Sequence, residues 1–592
     1  MIQMSRTGGI MKKLFFSFLT ILVFISCNNN DDKTNTPIID EEEPEYFYIM
    51  PELKITAGGG NLLYSISETY PDAESFDIYY KLGIADPDEL KTSGTKINVT
   101  GSEGAINGLN ERELYSVVAV AKCRGFHNAD SNVSMGRTRW KSPKRGVGYG
   151  FNFPRPNNSN SGAGHNNPAI IAKDIDLLGI GITWWYSWGT DPGNVVGPVA
   201  REKKLPFVPM VWGGGSGRVD AVRKYVTDFP EQNTEYLLAW NEPNFLEEAN
   251  LTPAQASAQW PYLMEMARDT GLKVISPAMN YGTMAPYSNP TLWLEEFFGF
   301  GENAGFENVS LDDIDGVAIH LYNLYASGVL GYVDRFRKFG KPIWMTEWCA
   351  YSGNPNAEHQ INFMCQSVIL LEADPAVERY AWYIPKGGTF NHETAYPWNK
   401  LLTGPPPPAL PELTTQGKIF VHMSMLDKEL FYIPGEIIPA KDFSGCNISE
   451  LVPDPGNPFV PRTGRSWQDG VRFRPTTNLA LEASPLDIVF FGPDNNTGNM
   501  WVEYQIKTSE SGEYALTMCY TAQQDIPFEI SINGSKAADI TLSRSTIWNS
   551  AACTVNLSAG KSVIRLRRTA TTSGVSCAIN WLTVTAATYS GG

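Results

Sequence analysis

The sequence has fewer basic residues than acidic ones. Its 592 residues include 47 Lys and Arg against 63 Asp and Glu, which gives a formal net charge of −16. Nucleic acids and anionic membrane surfaces select basic patches, so this balance argues against both as partners. CxxC spacing is also missing among the 8 cysteines, and no metal site is indicated.

The cysteines that follow residue 27 are odd in number, so at least one thiol is free. A disulfide among the last four is compatible with an exported protein, although the sequence does not give the pairing. These four are Cys446, Cys519, Cys553 and Cys577.

The apolar run near the N-terminus is short. Residues 14–25 follow a Met-Lys-Lys start and are too few to span a bilayer as a helix. The run ends at Cys27, before a stretch of Asn and Asp. This pattern resembles a bacterial lipoprotein signal, which implies that residues 1–27 are the signal, that Cys27 is lipidated, and that the protein is anchored at the cell surface or outer membrane. The alternative is a signal peptide with an incidental cysteine.

Two segments precede the long α/β pattern. Residues 28–44 are rich in Asn, Asp, Glu and Thr and predict a flexible tether. Residues 45–140 carry short apolar or alternating runs split by turn residues, which favours strands. The segment 108–119 begins with Gly-Leu and ends with Tyr-x-Val-x-Ala, and it resembles a fibronectin type III sandwich. We therefore expect a spacer domain here.

From residue 141 to 430 the pattern alternates strand, loop and helix. One helix is predicted to begin at the Thr252 cap, with Pro253 in its first turn, and to end at Gly271. Eight strands alternating with helices predict a TIM barrel, whose active site lies at the carboxyl ends of the strands. The predicted strands begin at Gly146, Gly179, Pro206, Glu235, Lys273, Asp315, Pro342 and Glu378.

Two of these strands end in a glutamate. YLLAWNEPN at 236–244 contains Glu242, and PIWMTEWCAY at 342–351 contains Glu347. They end strands four and seven, which places them on the same rim of the barrel. Glycoside hydrolysis needs such a pair, because one carboxyl protonates the leaving oxygen while the other attacks the sugar or activates water. A single glutamate at a strand end is commonly structural, and it is the pair that indicates catalysis.

These motifs resemble clan A of the glycoside hydrolases and, within it, family 128, the β-1,3-glucanases. The resemblance covers most of 236–350, including TLWLEEFFG, DIDGVAIHLYN and GKPIWMTEW. It implies a retaining mechanism, with Glu242 as the acid/base and Glu347 as the nucleophile. The carboxyl groups of retaining enzymes are about 5–5.5 Å apart.

The resemblance also implies substrate-binding residues. Asn241 would orient Glu242 and contact the sugar, and His320 and Tyr322 would lie beside the nucleophile. Family members bind glucan on aromatic platforms, which stack on the apolar face of a sugar. Trp184 and Trp185 are neighbours on one strand, so only one of them can face the lumen. The strand-end candidates are Trp184, Trp188 and Tyr383, together with the four that we assign to substrate binding, Trp185, Trp212, Trp348 and Trp382.

Residues 437–590 are predicted to be all-β. The segments at 438–445 and 497–522 resemble carbohydrate-binding module family 6, which implies a sugar-binding jelly-roll sandwich. Lys441 stands where an acidic residue linked to structural calcium is expected. Ala578 stands where the family has an Asn near its sugar cleft. The first departure weakens the expectation of a calcium site, and the second weakens the expectation of a sugar-binding cleft.

The sequence thus predicts a multidomain, lipid-anchored, monomeric glycoside hydrolase, with a central TIM barrel between two β-sandwiches. The expected activity is retaining endo-cleavage of β-1,3-glucan such as laminarin or curdlan, with polysaccharide as the partner and no cofactor. Two alternatives stay open. The same mechanism could act on an algal galactan or a mannan, or the protein could be a surface lipoprotein that binds glycan without cleaving it.

Overall fold

A computed structural model describes most of the chain beyond residue 50. The described residues are 51–58, 60–67, 73–123, 129–151, 167–323, 325–350, 356–386, 398–403, 409–448, 453–454, 457–461, 471–476, 484–491, 500–569 and 575–587. The predicted lipoprotein signal with Cys27, the tether at 28–44 and the prolines at 405–408 lie outside them. Within the described part, no helix is long and apolar enough to cross a membrane.

The first elements form two antiparallel sheets. One sheet has the order β1-β2-β5, and the other has the order β4-β3-β6-β7 with β8 also paired to β6. Alternating side chains of these strands build an apolar core that is separate from the rest of the molecule. The fibronectin type III assignment stays a prediction. The elements are β1 (Leu53–Ala57), β2 (Asn61–Ile66), β3 (Ala73–Leu82), α1 (Pro87–Ser93), β4 (Thr95–Val99), β5 (Glu103–Asn107), β6 (Leu114–Cys123), β7 (Ala129–Asp130) and β8 (Ser134–Arg137).

Alternating strands and helices follow. They are β9 (Arg145–Gly148), α2 (Pro168–Leu178), β10 (Trp184–Tyr186), α3 (Val196–Glu202), α4 (Ser216–Asp228), β11 (Tyr236–Leu238), α5 (Pro253–Ser257), α6 (Trp260–Thr270), β12 (Lys273–Ile275), α7 (Pro290–Phe298), β13 (Val317–Asn323), α8 (Ala326–Phe336), β14 (Ile343–Ala350), α9 (Ala357–Ala373), β15 (Val377–Trp382) and α10 (Thr415–His422). Single 3-10 turns occur at Pro230–Gln232, Leu311–Asp313, Arg337–Phe339 and Ala440–Asp442.

The parallel strands close into a ring. β9 pairs with β10 and with β15, and β13, β14 and β15 pair in sequence. β11 pairs with β12, and parallel bridges join β12 to the start of β13. The segment 207–210 completes the circle between β10 and β11 through bridges at Phe207 and Met210. The eight segments follow the order that the sequence pattern predicts for a barrel.

Prolines explain where this region departs from the prediction. The third predicted strand is present only as isolated bridges, because Pro206 and Pro209 lack the N–H that a strand ladder needs. The helix predicted over 252–271 is two helices, α5 and α6, because Pro261 lies at the start of the second. Thr252 does cap the first helix, and Gly271 ends the second with a positive φ of 73°.

The C-terminal residues that the structure describes form strands, as predicted, apart from the 3-10 turn at Ala440–Asp442. One sheet has the order β16-β23-β28-β25-β26 with β18 on β23, and the other has β21-β22-β29-β24-β27 with β17 on β29. The jelly-roll assignment stays a prediction. The strands are β16 (Phe431–Tyr432), β17 (Ile437–Pro439), β18 (Gly445–Cys446), β19 (Pro453–Asp454), β20 (Asn457–Pro461), β21 (Arg472–Pro475), β22 (Leu486–Phe491), β23 (Trp501–Thr508), β24 (Gly512–Ala522), β25 (Ile526–Ile532), β26 (Ser535–Leu542), β27 (Ser545–Leu557), β28 (Gly560–Arg568) and β29 (Ser576–Ala586).

The four C-terminal cysteines are not joined by a disulfide in the described structure. Strand register explains this, because it does not place any two of them opposite each other. Cys519 faces Ser550 and Trp581, and Cys553 faces Leu516. The expectation of a disulfide among them is therefore not met.

The barrel and the C-terminal sheets share one continuous apolar core. A single cluster of buried side chains runs from the ring and its helices into both C-terminal sheets. At the junction, the hydroxyl of Ser424 donates to the carbonyl of Phe443 (2.6 Å). The N-terminal sheets are joined differently, through ion pairs such as Arg137–Glu436 and Arg139–Asp442. Lys441, the departure noted in the sequence, is buried and pairs with Asp442 (2.8 Å).

Candidate active site

Glu242 lies just beyond β11, at the carboxyl end of the ring. The amide N–H of Asn241 donates to the carbonyl of Trp212 (2.8 Å), and that of Glu242 donates to the carbonyl of Ala278 (3.1 Å). These bonds reach the neighbouring segments on both sides, so the backbone continues the ring past the strand. Glu242 has a φ of +44°, a left-handed conformation that costs a non-glycine residue about 1–3 kcal/mol. The surrounding bonds hold the residue in this conformation.

Glu347 lies in β14, a strand whose side chains are all buried. The indole Nε1 of Trp188 donates to Oε1 of Glu347 (2.6 Å). The hydroxyl of Tyr186 donates to the carbonyl of Thr346 (2.9 Å) and lies 3.3 Å from the same Glu347 oxygen. The hydroxyl of Tyr322 donates to Oε2. Both oxygens of Glu347 are therefore fixed by donors, an arrangement suited to an ionised carboxylate.

His320 connects the two glutamates. Register places it opposite Glu347 on the neighbouring strand. Its Nδ1 lies 2.7 Å from Oε1 of Glu242 and 3.7 Å from Oε2 of Glu347. Its Nε2 lies 2.9 Å from the hydroxyl of Thr346. Asn280 donates from Nδ2 to the same Glu242 oxygen (2.9 Å), so Oε1 of Glu242 has two partners.

Burial and charge set the protonation of these groups. Burial alone would lower the pKa of His320, but the charge of Glu347 and the hydrogen bond to Glu242 raise that pKa overall. Burial raises the pKa of Glu347, and the charge of His320 opposes the rise. Burial and the Glu347 charge push the pKa of Tyr186 and of Tyr322 well above its ordinary value. Both hydroxyls thus stay protonated and available as donors.

The same three groups could in principle ligate a metal. One oxygen of Glu242, one nitrogen of His320 and one oxygen of Glu347 lie within 4.8 Å of one another. Two carboxylates and an imidazole are a known donor set for divalent cations. Here, however, each ring nitrogen of His320 already has a hydrogen-bonding partner.

The aromatic predictions need correction. Three of the assigned residues are fully buried and pack in the core between strands and helices: Trp185, Trp348 and Trp382. Their ring faces are therefore not accessible to a sugar. Side-chain alternation explains the error at Trp185, because Trp184 and Tyr186 share the face that points into the ring. Of the four assigned platforms, Trp212 alone is half-exposed at the rim.

Several site residues were not assigned from the sequence. Trp188 belonged to the wider set of strand-end aromatics, and alternation from Trp184 could have indicated Tyr186. Asn280 ends the PAMN segment after β12, two residues beyond Ala278, which bridges to Asn241. The half-buried Glu248 lies in the loop after Glu242 and had no signal in the sequence. The structure brings Glu242, His320, Tyr322 and Glu347 together. Among the described residues, the side-chain amide of Asn241 contacts Glu248 and not Glu242, which the motif had led us to expect.

Comparison with known proteins gives a family match and a curated relative. Residues 165–407 match the family model described as glycosyl hydrolase catalytic core. A curated relative, alkali-sensitive linkage protein 1 of Schizosaccharomyces pombe, is 21% identical over 221 residues, which is 35% of this chain and 35% of that protein. The chain thus matches about a third of that relative's length.

Solved structures of two bacterial enzymes are similar to this chain. The GH128 subgroup II endo-β-1,3-glucanase of Sorangium cellulosum is 27% identical, with a TM-score of 0.37 over 47% of this chain and 97% of that one. The corresponding enzyme of Pseudomonas viridiflava is 29% identical, with a TM-score of 0.37 over 48% and 98%. The match to the glycosyl hydrolase catalytic core spans residues 165–407, which contain both Glu242 and Glu347.

Proposed function

We propose that the protein is a retaining endo-β-1,3-glucanase that acts on laminarin- or curdlan-type polysaccharide. The observation that carries the proposal is the close approach of Glu242 and Glu347, whose nearest oxygens lie within 4.8 Å together with His320. An inverting enzyme needs its carboxyl groups about 6.5–9.5 Å apart to admit a water between them and the sugar. The motif resemblance to family 128 supports the β-1,3 linkage.

In this mechanism Glu347 is the nucleophile. Donors on both of its oxygens, from Trp188 and Tyr322, stabilise the ionised form and orient the carboxylate. The positive charge favoured on His320 acts in the same direction. Glu347 attacks the anomeric carbon, and the bond to the leaving oxygen breaks as the glycosyl–enzyme ester forms.

Glu242 supplies the proton and later removes one. Asn280 and His320 both contact Oε1, and among the described residues no hydrogen bond reaches Oε2. We assign the catalytic proton to Oε2, from which it passes to the leaving oxygen. In the second step the ionised Glu242 takes a proton from water as the water attacks the anomeric carbon, and Glu347 leaves.

The enzyme is proposed to work at the cell surface, held by a lipid on Cys27. The short apolar run and the cysteine that follows it support this location. The acidic net charge fits a neutral polysaccharide better than an anionic surface. The N-terminal sheets would then act as the spacer between anchor and barrel.

Product analysis tests the proposal. Wild type and Glu347→Gln are incubated with laminarin and curdlan, beside agarose, mannan and xylan, and NMR follows the anomer formed first. We expect β-anomeric β-1,3-oligosaccharides of several lengths, and none from the variant. An initial α-anomer would overturn the retaining mechanism, and cleavage of another polymer instead would overturn the substrate. Binding without any cleavage would point to a glycan-binding protein.

A further inference from the structure

A third carboxylate lies beside the catalytic pair. Glu248 belongs to the loop of residues 242–252, which leaves the ring after Glu242 and returns to it before α5. Oε2 of Glu248 accepts a hydrogen bond from Nδ2 of Asn241 (3.1 Å). The next amide, that of Ala249, donates to the carbonyl of Asn241 (3.1 Å). The loop therefore closes on Asn241 at two points, one through the backbone and one through the side chain.

The side-chain amide of Asn241 is held in one of its two orientations. Nδ2 is bonded to Glu248, whereas Oδ1 is buried and has no hydrogen-bonding partner among the described residues. If the amide turned over, Oδ1 would face the carboxylate oxygen of Glu248. An ionised carboxylate can only accept hydrogen bonds, so the two acceptors would repel each other. The charge on Glu248 thus selects the orientation.

We propose that Glu248 is a positioning residue of this site, whose carboxylate fixes the orientation of the Asn241 side-chain amide beside Glu242. The inference deepens the proposed function and rests on it. It assigns to Glu248 no contact with the substrate. Its effect passes through Asn241, the neighbour of the acid/base.

The surroundings of Glu248 make this control dependent on pH. Desolvation first, and then the negative charges of Glu242 and Glu347, raise the pKa of Glu248 to about 7. The bond from Asn241 and the charge of His320 oppose the rise. Above this pKa the carboxylate holds Nδ2 of Asn241. Below it, the protonated group can also donate to Oδ1, and the flipped orientation is no longer excluded.

Two isosteric variants separate this role from a general loop effect. Glu248→Gln keeps the shape but removes the charge, and its amide can pair with Asn241 in either orientation. Glu247→Gln removes the neighbouring charge in the same loop, where the exposed Glu247 accepts a bond from Thr283 (2.6 Å). Glu247→Gln is expected to match wild type in every measurement below.

The first measurement is the pH profile of kcat/KM on laminarin. At a pH about one unit or more below the Glu248 pKa, wild type and Glu248→Gln should be equal, because Glu248 is protonated in wild type as well. Above pH 8 or so, we expect roughly a 3- to 10-fold lower value in the variant, mainly in kcat. A ratio that is constant across pH, at one or at any other value, overturns the proposal.

The second measurement needs no activity and therefore separates failure of this inference from failure of the proposed function. The melting temperature is compared for Glu248→Gln against its parent, in wild type and in an Asn241→Ala background. A raised folded-state pKa means that wild type loses stability as pH rises from 4.5 towards 7. The gain of the variant over wild type should therefore grow across that window. The gain should also differ between the wild-type and the Asn241→Ala backgrounds, because Glu248 and Asn241 are coupled. The same change in both backgrounds would refute the link to Asn241.

Discussion

The hydrogen bond from Tyr322 to Glu347 allows a quantitative test of the nucleophile. Tyr322→Phe removes only the hydroxyl that donates to Oε2. A hydrogen bond to a charged group contributes about 1.5–3 kcal/mol, and one pKa unit corresponds to about 1.36 kcal/mol. Losing the bond should raise the pKa of Glu347 further, because burial already raises it and Tyr322 opposes that rise.

The assay is the pH dependence of kcat/KM on laminarin, measured at low substrate between about pH 4 and pH 9. The acidic limb reports ionisation of the nucleophile in the free enzyme, so it should move to higher pH. Tyr332→Phe is the matched control. That buried hydroxyl donates to the carbonyl of Met279 (3.1 Å) and not to Glu347. An unmoved acidic limb in a folded Tyr322→Phe enzyme would refute the reasoning.

Two further expectations concern the core and the anchor. Trp382→Ala should lower the free energy of unfolding by about 3–5 kcal/mol, because Trp382 is fully buried. Urea denaturation measures the loss, and the 46% exposed Trp398 is the control, whose replacement by alanine should change stability by less than about 0.5 kcal/mol. Cys27→Ser should move the protein from the membrane fraction to the soluble fraction on cell fractionation, and an unchanged distribution would contradict lipidation at that cysteine.

Sequence reasoning located Glu242 and Glu347 because the pattern of apolar residues shows where a strand ends. Glu242 and Glu347 each follow an apolar run, and parallel strands bring their carboxyl ends to one rim. His320 and Tyr322 share the end of β13, and their spacing of two puts both on the face towards Glu347. The order of the ring also followed from the pattern alone.

The remaining parts of the site depend on contacts that no local pattern encodes. Trp184 and Trp185 are the same residue type. Only the orientation of β10 about its own axis decides which of the two side chains points into the ring. Trp188 and Glu248 lie in loops, where backbone conformation and not periodicity aims the side chain. The φ of +60° at Trp188 illustrates this, because nothing in a tryptophan predicts a left-handed conformation.

The core shared by the barrel and the C-terminal sheets sets how this protein can be divided. The N-terminal sheets have their own core and contact the rest through charged pairs, so we expect that they can be removed without opening the core of the barrel. A cut near residue 430 would instead expose apolar surface on both fragments, because a single cluster crosses that point. The C-terminal sheets consequently pack against the barrel and support it. Barrel and sheets would have to be inherited, transplanted and produced as one piece.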